Sequence, residues 1–187
     1  NISSELYKSG DFKLQDDKEA KASGTDAGTY NMDLTADDFV NINTDFTNVE
    51  FVVTDGYLKI DPREVTLTSG SARKTYDGTA LTYNEVSETG DGFVEGEGAD
   101  YNVTGTLTDV GKVDNEFTYK LKEGTKTQNY MITPYYGELE VTPVEVEVVV
   151  TIKGNTGKET YDGTEKSVTD YKVTGITMAG EQTELYT

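Results

Sequence analysis

Hydrophobic and polar residues alternate along short stretches of this chain, which is the pattern of β-strands with one buried face. The alternation is clearest at Val65–Thr68, Tyr101–Leu107 and Glu116–Leu121. Strands are also predicted at Thr29–Leu34 and along the β-branched run from Val144 to Ile152. These segments are short and separated by turn residues, so the pattern predicts an all-β protein.

Two hairpins are predicted from the residues between strands. Thr54–Gly56 separates Val49–Val53 from Tyr57–Ile60, and Asp-Gly supplies the positive φ of a tight turn. The same pattern returns at Tyr130–Thr133 and Glu138–Val141, which are predicted to form the equivalent closing hairpin.

Two other segments differ from the strand pattern. Thr35, followed by Asp37 and Asp38, predicts an N-cap and a short helical turn that ends near Val40. The glycine-rich acidic stretch from Glu85 to Asp100 is predicted to be mostly loop.

An internal repeat organises the chain. The pentapeptide Thr75–Thr79 recurs at Thr160–Thr164, Gly56–Pro62 is matched by Gly137–Pro143, and Asp26–Gly28 by Asp109–Gly111. The three offsets in residue number are 85, 81 and 83 (160 − 75, 137 − 56 and 109 − 26). One period of this length is about the size of a small β domain. The chain is therefore predicted to consist of domains in series.

The repeat divides the chain into three parts. Residues 1–62 are predicted to be the C-terminal part of one repeat, 63–143 a complete central repeat, and 144–187 the N-terminal part of the next. Because each end piece lacks what the other has, we expect 144–187 to complement 1–62 by self-association of chains, as a swapped dimer or a head-to-tail fibre. The chain begins at Asn1 rather than Met, so we expect it to be a piece of a longer protein.

The predicted fold of each repeat is a small immunoglobulin-like β-sandwich, since about seven short strands are expected per repeat. Asp26, Gly28 and Tyr30 have the spacing of a tyrosine corner, in which a tyrosine hydroxyl bonds back to the backbone. The second copy has Val113 in place of the tyrosine. This difference keeps a β-grasp-like module as the alternative.

Composition excludes several functions. The chain has 187 residues, with 16 basic and 35 acidic ones and a net charge of −19, which repels nucleic acids and anionic membrane surfaces. Cysteine and histidine are absent, which removes disulfides, thiolate nucleophiles and the common zinc and haem ligands. No stretch has the ~18 apolar residues of a membrane span. We expect no enzyme activity, no cofactor and no metal site.

The repeated Tyr-Asp-Gly is predicted to be a structural turn with a buried tyrosine ring and a glycine at positive φ. The residues of this turn are Tyr76, Asp77 and Gly78 in one copy and Tyr161, Asp162 and Gly163 in the other. The alternative is a loop that contacts a sugar through the ring and the carboxylate. One ring and one acid per repeat are few contacts for a pocket, which favours the turn.

Other candidate sites have weaker support. Ser71–Lys74 matches the Ser-x-x-Lys of penicillin-recognising enzymes but lies between a strand and a turn. A calcium or glycosidase site would need clustered acids, and a Lys–Asn isopeptide crosslink would need a pairing that the sequence does not define. The acids of the central loop are Glu85, Glu88, Asp91, Glu95, Glu97 and Asp100.

Lys74–Ala80, Gly92–Gly98 and Asn129–Thr133 resemble the YDG/MBG-type repeats of bacterial surface proteins. The flanking material, from Gly24–Tyr30 through Phe51–Gly56 and from Val149–Gly154 through Tyr161–Thr164, resembles a second subtype. The resemblance implies a large secreted protein of Firmicutes, often anchored to the cell wall, with such modules in tandem. It implies no catalytic residues. We therefore expect a structural spacer or stalk in contact with neighbouring repeats. The alternative is an adhesin module that binds a host glycan or protein.

Overall fold

The computed structural model describes residues 6–178 and 181–183, with side chains for 6–178. The strands are β1 Phe12–Leu14, β2 Gly28–Asn31, β3 Phe39–Asn41, β4 Tyr57–Ile60, β5 Arg63–Ser69, β6 Ala72–Thr75, β7 Val86–Gly90, β8 Ala99–Val103, β9 Gly111–Asn115, β10 Phe117–Leu121, β11 Tyr130–Tyr135, β12 Gly137–Thr142, β13 Val148–Gly154, β14 Tyr171–Met178 and β15 Glu181–Thr183. Short 3-10 helices lie at Ala36–Asp38 and Thr127–Asn129. The all-β class is confirmed. None of the described helices is long and apolar enough to cross a membrane.

The first segment, residues 6–62, contains two small antiparallel sheets, β1 with β3 and β2 with β4. The predicted helical turn after Thr35 is present, and the Asp38 carboxylate accepts hydrogen bonds from the backbone N–H and the hydroxyl of Thr35 at 2.7 and 2.9 Å. Five aromatic rings from β1, β3 and the connecting segments pack against one another, with centroids 5.4 to 6.4 Å apart: Tyr7, Phe12, Phe39, Phe46 and Phe51.

Two long parallel strands form the centre of the middle module. β11 pairs with β5, placing Ile132 opposite Val65, and β12 pairs with β6, placing Leu139 opposite Ala72. The difference in residue number is 67 in both pairs (132 − 65 and 139 − 72), so a single register continues from one sheet to the next. β7 extends the first sheet, in the order β11-β5-β7, and β9 extends the second, in the order β6-β12-β9. The two sheets therefore share one bent pair of strands.

The two sheets meet where the backbone of Gly137 lies close against that of Ser69 and Gly70. A Cβ on Gly137 would lie 2.4 Å from the carbonyl oxygen of Gly70, which is far inside van der Waals contact. Beside the bend, the Ser69 hydroxyl donates to the Asn115 carbonyl at 2.5 Å and accepts from the Gly137 N–H at 3.0 Å. The Asn115 side chain donates to the carbonyls of Gly70 and Tyr83, both at 2.8 Å. Polar groups thus hold the two sheets together at this point.

The core of the middle module lies between the β11-β5-β7 sheet and a separate antiparallel sheet formed by β8 and β10. Val65, Leu67, Phe117 and Tyr130 form one buried cluster, and Leu139 and Val141 are fully buried on the second sheet. The strands predicted around Val65, Tyr101 and Phe117 are present as β5, β8 and β10. The stretch predicted to be mostly loop contains β7 and leads into β8.

Both predicted hairpins are wrong. Residues 46–56 form no strand, and β4 pairs with β2, so that Ile60 lies opposite Gly28. In the middle module, β11 and β12 are consecutive parts of one long strand and pair with β5 and β6. An Asp-Gly pair permits a tight turn, but the choice of strand partner depends on which strand edges lie nearby.

The internal repeat is visible in the strand pairing. In β12 with β9, Val141 lies opposite Gly111, and the equivalent pair one repeat earlier is Ile60 opposite Gly28. In the third segment β13 pairs with β14, and Gly154 opposite Tyr171 is the next copy of Ser69 opposite Val86. Thus β2 and β4 correspond to β9 and β12, whereas β13 and β14 correspond to β5 and β7.

Candidate functional site

The first Tyr-Asp-Gly turn is held together by its own side chains. The Asp77 carboxylate accepts hydrogen bonds from the backbone N–H and the hydroxyl of Thr79 at 2.9 and 2.7 Å. The Lys74 ammonium donates to the same carboxylate at 2.7 Å. Gly78 has a φ of 76°, the left-handed conformation expected at this position. The hydrogen bonds from Lys74 and then Thr79 hold the pKa of Asp77 well below its usual range.

The second copy forms the same turn, but its lysine follows the aspartate in sequence instead of preceding it. Asp162 accepts from the N–H and the hydroxyl of Thr164 at 3.0 and 2.7 Å, and Gly163 has a φ of 80°. The ammonium of Lys166, four positions after Asp162, lies 2.5 Å from the Asp162 carboxylate. Hydrogen bonds from Lys166 and then Thr164 lower the pKa of Asp162 to about 2. In both copies the aspartate carboxylate accepts hydrogen bonds from residues of its own turn and so stabilises that turn.

The prediction that both turn tyrosines are buried is wrong. Tyr76 is 41% exposed and Tyr161 is 92% exposed. Tyr76 follows the end of β6, where its N–H donates to the Thr142 carbonyl at 2.8 Å, so its ring lies beyond the last paired residues of the sheet. The strand corresponding to β6 is absent before Tyr161 among the described residues, and no sheet covers that ring.

The contact between the first segment and the middle module is a second candidate site. The Asp26 carboxylate accepts a hydrogen bond from the Lys126 ammonium at 2.7 Å and from the Asn129 side-chain amide at 2.9 Å. The Asn129 side-chain oxygen in turn accepts from the Ala27 N–H at 2.7 Å. We call these four residues the junction clamp. It joins two parts of the chain that are distant in sequence.

The proposed tyrosine-corner residues lie in this junction. The Tyr30 hydroxyl donates to the Asp26 carbonyl at 2.9 Å, and Gly28 is in extended backbone at the start of β2. The same motif therefore fixes the backbone that presents the Asp26 carboxylate to the next module. Lys126 and then Asn129 lower the pKa of Asp26, and Asp26 raises the pKa of Lys126.

The clamp contains the residue types of a Lys–Asn crosslink with a bridging carboxylate, but its electrostatics favour hydrogen bonding. The Lys126 side chain is 59% exposed, and the raised pKa keeps its amine protonated and non-nucleophilic. Lys126 is the N-cap and Asn129 the last residue of a single 3-10 turn, so a bond between them would join no separate strands. The contacts that the structure shows at this site are hydrogen bonds and one ion pair.

The remaining candidate residues have other partners. Ser71 accepts from the Glu138 N–H at 2.9 Å, while Lys74 bonds within its own turn, so the two do not form a catalytic pair. Several acids of the central loop bond to tyrosine hydroxyls or the backbone, and in the described part of the chain no three acids meet as a metal site would require. These pairs are Glu85 with Tyr83, Glu88 with Tyr101, Glu97 with Tyr130, and Asp91 with the Glu64 N–H.

The sequence analysis did not single out Lys126 or Asn129 as site residues. One signal was available, because Asn129 has a counterpart in the preceding repeat, at Asn48. Asn115 was also missed, since a polar residue at the end of an alternating strand gives no sign of complete burial.

No curated protein and no solved structure matches the chain. A protein-family model does match: residues 1–62 fit the model described as the MBG domain. This match is consistent with the YDG/MBG-type repeat modules that the motifs indicate.

Proposed function

We propose that this chain is a non-enzymatic spacer region of an exported bacterial surface protein, anchored at the cell wall of a Gram-positive bacterium. The observation that carries the proposal is the direction of the two long strands. The chain joins the middle module at Arg63, opposite Tyr130, and leaves it at Thr142, opposite Thr75. The attachment points therefore lie at opposite ends of one parallel strand pair, as a module in an extended series requires.

This geometry suits a protein that carries tension. A pull on residues 63 and 142 slides β5 and β6 along β11 and β12, so the hydrogen bonds along the pair are loaded together. A pull on two residues at the same end opens the pair one bond at a time. In the pull on residues 63 and 142 many hydrogen bonds must break in a single step, so we expect the middle module to resist force along the axis of the series.

The test is single-molecule force spectroscopy on the whole chain with handles at its two ends. Unfolding of the middle module should lengthen the molecule by about 250 Å, from about 290 Å of extended chain less about 40 Å of folded strand. The matched control attaches the handles through Tyr76→Cys and Val144→Cys, at one end of the pair. The end-to-end pull should need a clearly higher force. Equal forces in the two geometries would contradict the spacer proposal.

The junction clamp supports the same function because it limits movement between neighbouring modules. Asn129→Ala removes two of its hydrogen bonds and should widen the distribution of distances between spin labels placed on residues 1–62 and on the middle module. Gln128→Ala, a change at an exposed neighbouring residue, should leave the distribution unchanged. A distribution unaffected by Asn129→Ala would show that the clamp does not limit movement between the modules.

A second candidate function is recognition of a glycan or protein ligand, as in an adhesin. The observation in its favour is the exposed ring of Tyr161, beside a surface pocket lined also by Thr160, Lys166 and Ser167. An exposed aromatic ring offers a flat face on which a sugar can stack. Glycan-array binding that disappears in Tyr161→Ala but persists in Tyr57→Ala, which removes an exposed ring outside the turns, would favour the adhesin over the spacer.

A further inference from the structure

The third segment contains an apolar sheet face that its own strands do not cover. Val150 and Ile152 on β13 are 48% and 58% exposed. Their counterparts in the middle module, Val65 and Leu67, are 1% and 0% exposed. In the middle module β11 lies beside β5, and Phe117 and Tyr130 pack on Val65 and Leu67. Among the described residues no strand lies beside β13 on that edge.

The first segment contains a matching strand sequence without a sheet. Residues 49–54 are the counterpart of β11 in the preceding repeat, and they form no strand. Their side chains already alternate as β11 does: Phe51 packs on Phe12 and Phe39, while Val52 is 89% exposed. In β11, Ile132 packs on the core and Thr133 is exposed.

We propose that residues 49–60 of one copy of this chain add as a parallel strand to β13 of a second copy. The pairing of the middle module supplies the register. The observed pair Val65–Ile132 corresponds to Val150 of the second copy opposite Phe51 of the first. The observed pair Thr66–Thr133 likewise corresponds to Thr151 opposite Val52. Further along, Leu139 opposite Ala72 becomes Leu58 opposite Gly157. The composite module has the strand order of the complete one.

Residues 49–60 and β13 of the same chain cannot reach each other, because the two segments leave the middle module at opposite ends. The long strands, from 63 to 75 and from 130 to 142, separate these ends by about 40 Å. Residues 143–147 connect β12 to β13 and span at most about 18 Å. A contact that joins the front of one chain to the back of another is heterologous, so it extends into a linear assembly unless the rotation closes a ring.

The first test uses the absence of cysteine in the chain. Chains carrying only Val52→Cys are mixed with chains carrying only Thr151→Cys and oxidised mildly. The register predicts a disulfide-linked pair of chains well above the amount that either variant forms alone. Lys153→Cys in place of Thr151→Cys moves the thiol two positions along the strand, beyond the ~7 Å that a disulfide tolerates between Cα atoms, and should lower the yield at least tenfold. Equal yields from the two mixtures would overturn the proposal.

The second test measures assembly by light scattering over a dilution series of the whole chain. Val150→Lys places an ammonium group on the face to be covered and should weaken self-association at least tenfold. Val149→Lys is the matched control, because Val149 is equally exposed and corresponds to Glu64, which stays exposed in the complete module. A strict monomer at every concentration, or equal association of the two variants, would refute the proposal. Neither result bears on whether the chain acts as a spacer.

Discussion

The strongest single test of the middle module is the removal of the Asn115 side chain. Asn115 is fully buried, and its amide donates to the carbonyls of Gly70 and Tyr83. Asn115→Ala leaves two carbonyls without their amide donor, at about 1–3 kcal/mol each where water does not replace it. It also removes the buried Asn115 Oδ1, which has no hydrogen-bond partner among the described residues, and this offsets part of the cost. A water molecule in the vacated space would satisfy part of this loss. We expect the free energy of unfolding to fall by about 3 kcal/mol.

Urea unfolding, monitored by the hydrogen exchange of peptides from residues 63–143, measures this loss for the middle module alone. For a denaturant slope of about 1.5 kcal/mol per M, the midpoint should fall by about 2 M. Asp114→Ala, on the same strand with an exposed side chain, is the control and should stay within about 0.5 kcal/mol. Asn115→Asp should cost at least as much as Asn115→Ala, because it turns an oxygen toward two carbonyl oxygens. If Asn115→Ala proves as harmless as the Asp114→Ala control, the polar contact between the sheets is dispensable.

Three further changes test the bend, the turn and the first segment. Gly137→Ala places a Cβ against the Gly70 carbonyl and should lower the melting temperature of the middle module by several degrees in calorimetry, whereas an unchanged value would mean that the long strands are not in close contact there. Gly78→Val should cost more than ~1 kcal/mol and Gly78→Asn less, since asparagine tolerates positive φ; equal costs in urea melts would contradict the turn geometry. Hydrogen bonds from Lys18 and then Thr35 lower the pKa of Asp38 from 3.8 to about 2, so its stabilisation is complete above about pH 4 and disappears as the pH falls toward 2. Asp38→Asn should flatten that part of the pH profile of circular dichroism, and an unaltered profile would exclude this carboxylate as the cause.

The repeat and many of the strands were predictable because they depend on local sequence. Alternation with period two identifies β5 and β10 from residues that lie side by side in the chain. Positive φ at Gly78 and Gly163 likewise follows from the Asp-Gly pair itself. The three repeat offsets agree closely enough to identify equivalent residues. β2 pairs with β4 as their equivalents, β9 and β12, pair with each other.

The two wrong hairpins and the high exposure of Tyr161 have a common origin. A hairpin is the nearest pairing along the chain, so local reasoning joins Val49–Val53 to Tyr57–Ile60. In the middle module the corresponding strands instead pair in parallel with strands that are distant in sequence. The burial of Tyr161 depends in the same way on a strand that lies elsewhere in sequence, and no pattern around position 161 contains that information.

The sequence by itself determined the all-β class, the period of the repeat, the turn conformation of its glycines and the excess of negative charge, because each of these is a property of neighbouring residues or of composition. Only the tertiary structure decided that β5 and β6 run parallel to β11 and β12, that Asn115 joins the two sheets, and that Lys126 and Asn129 hold Asp26. Each of those contacts joins residues that are far apart along the chain. Such pairs meet because packing brings two strand edges or two modules together, and hydrophobic alternation is the same whichever partner a strand finds.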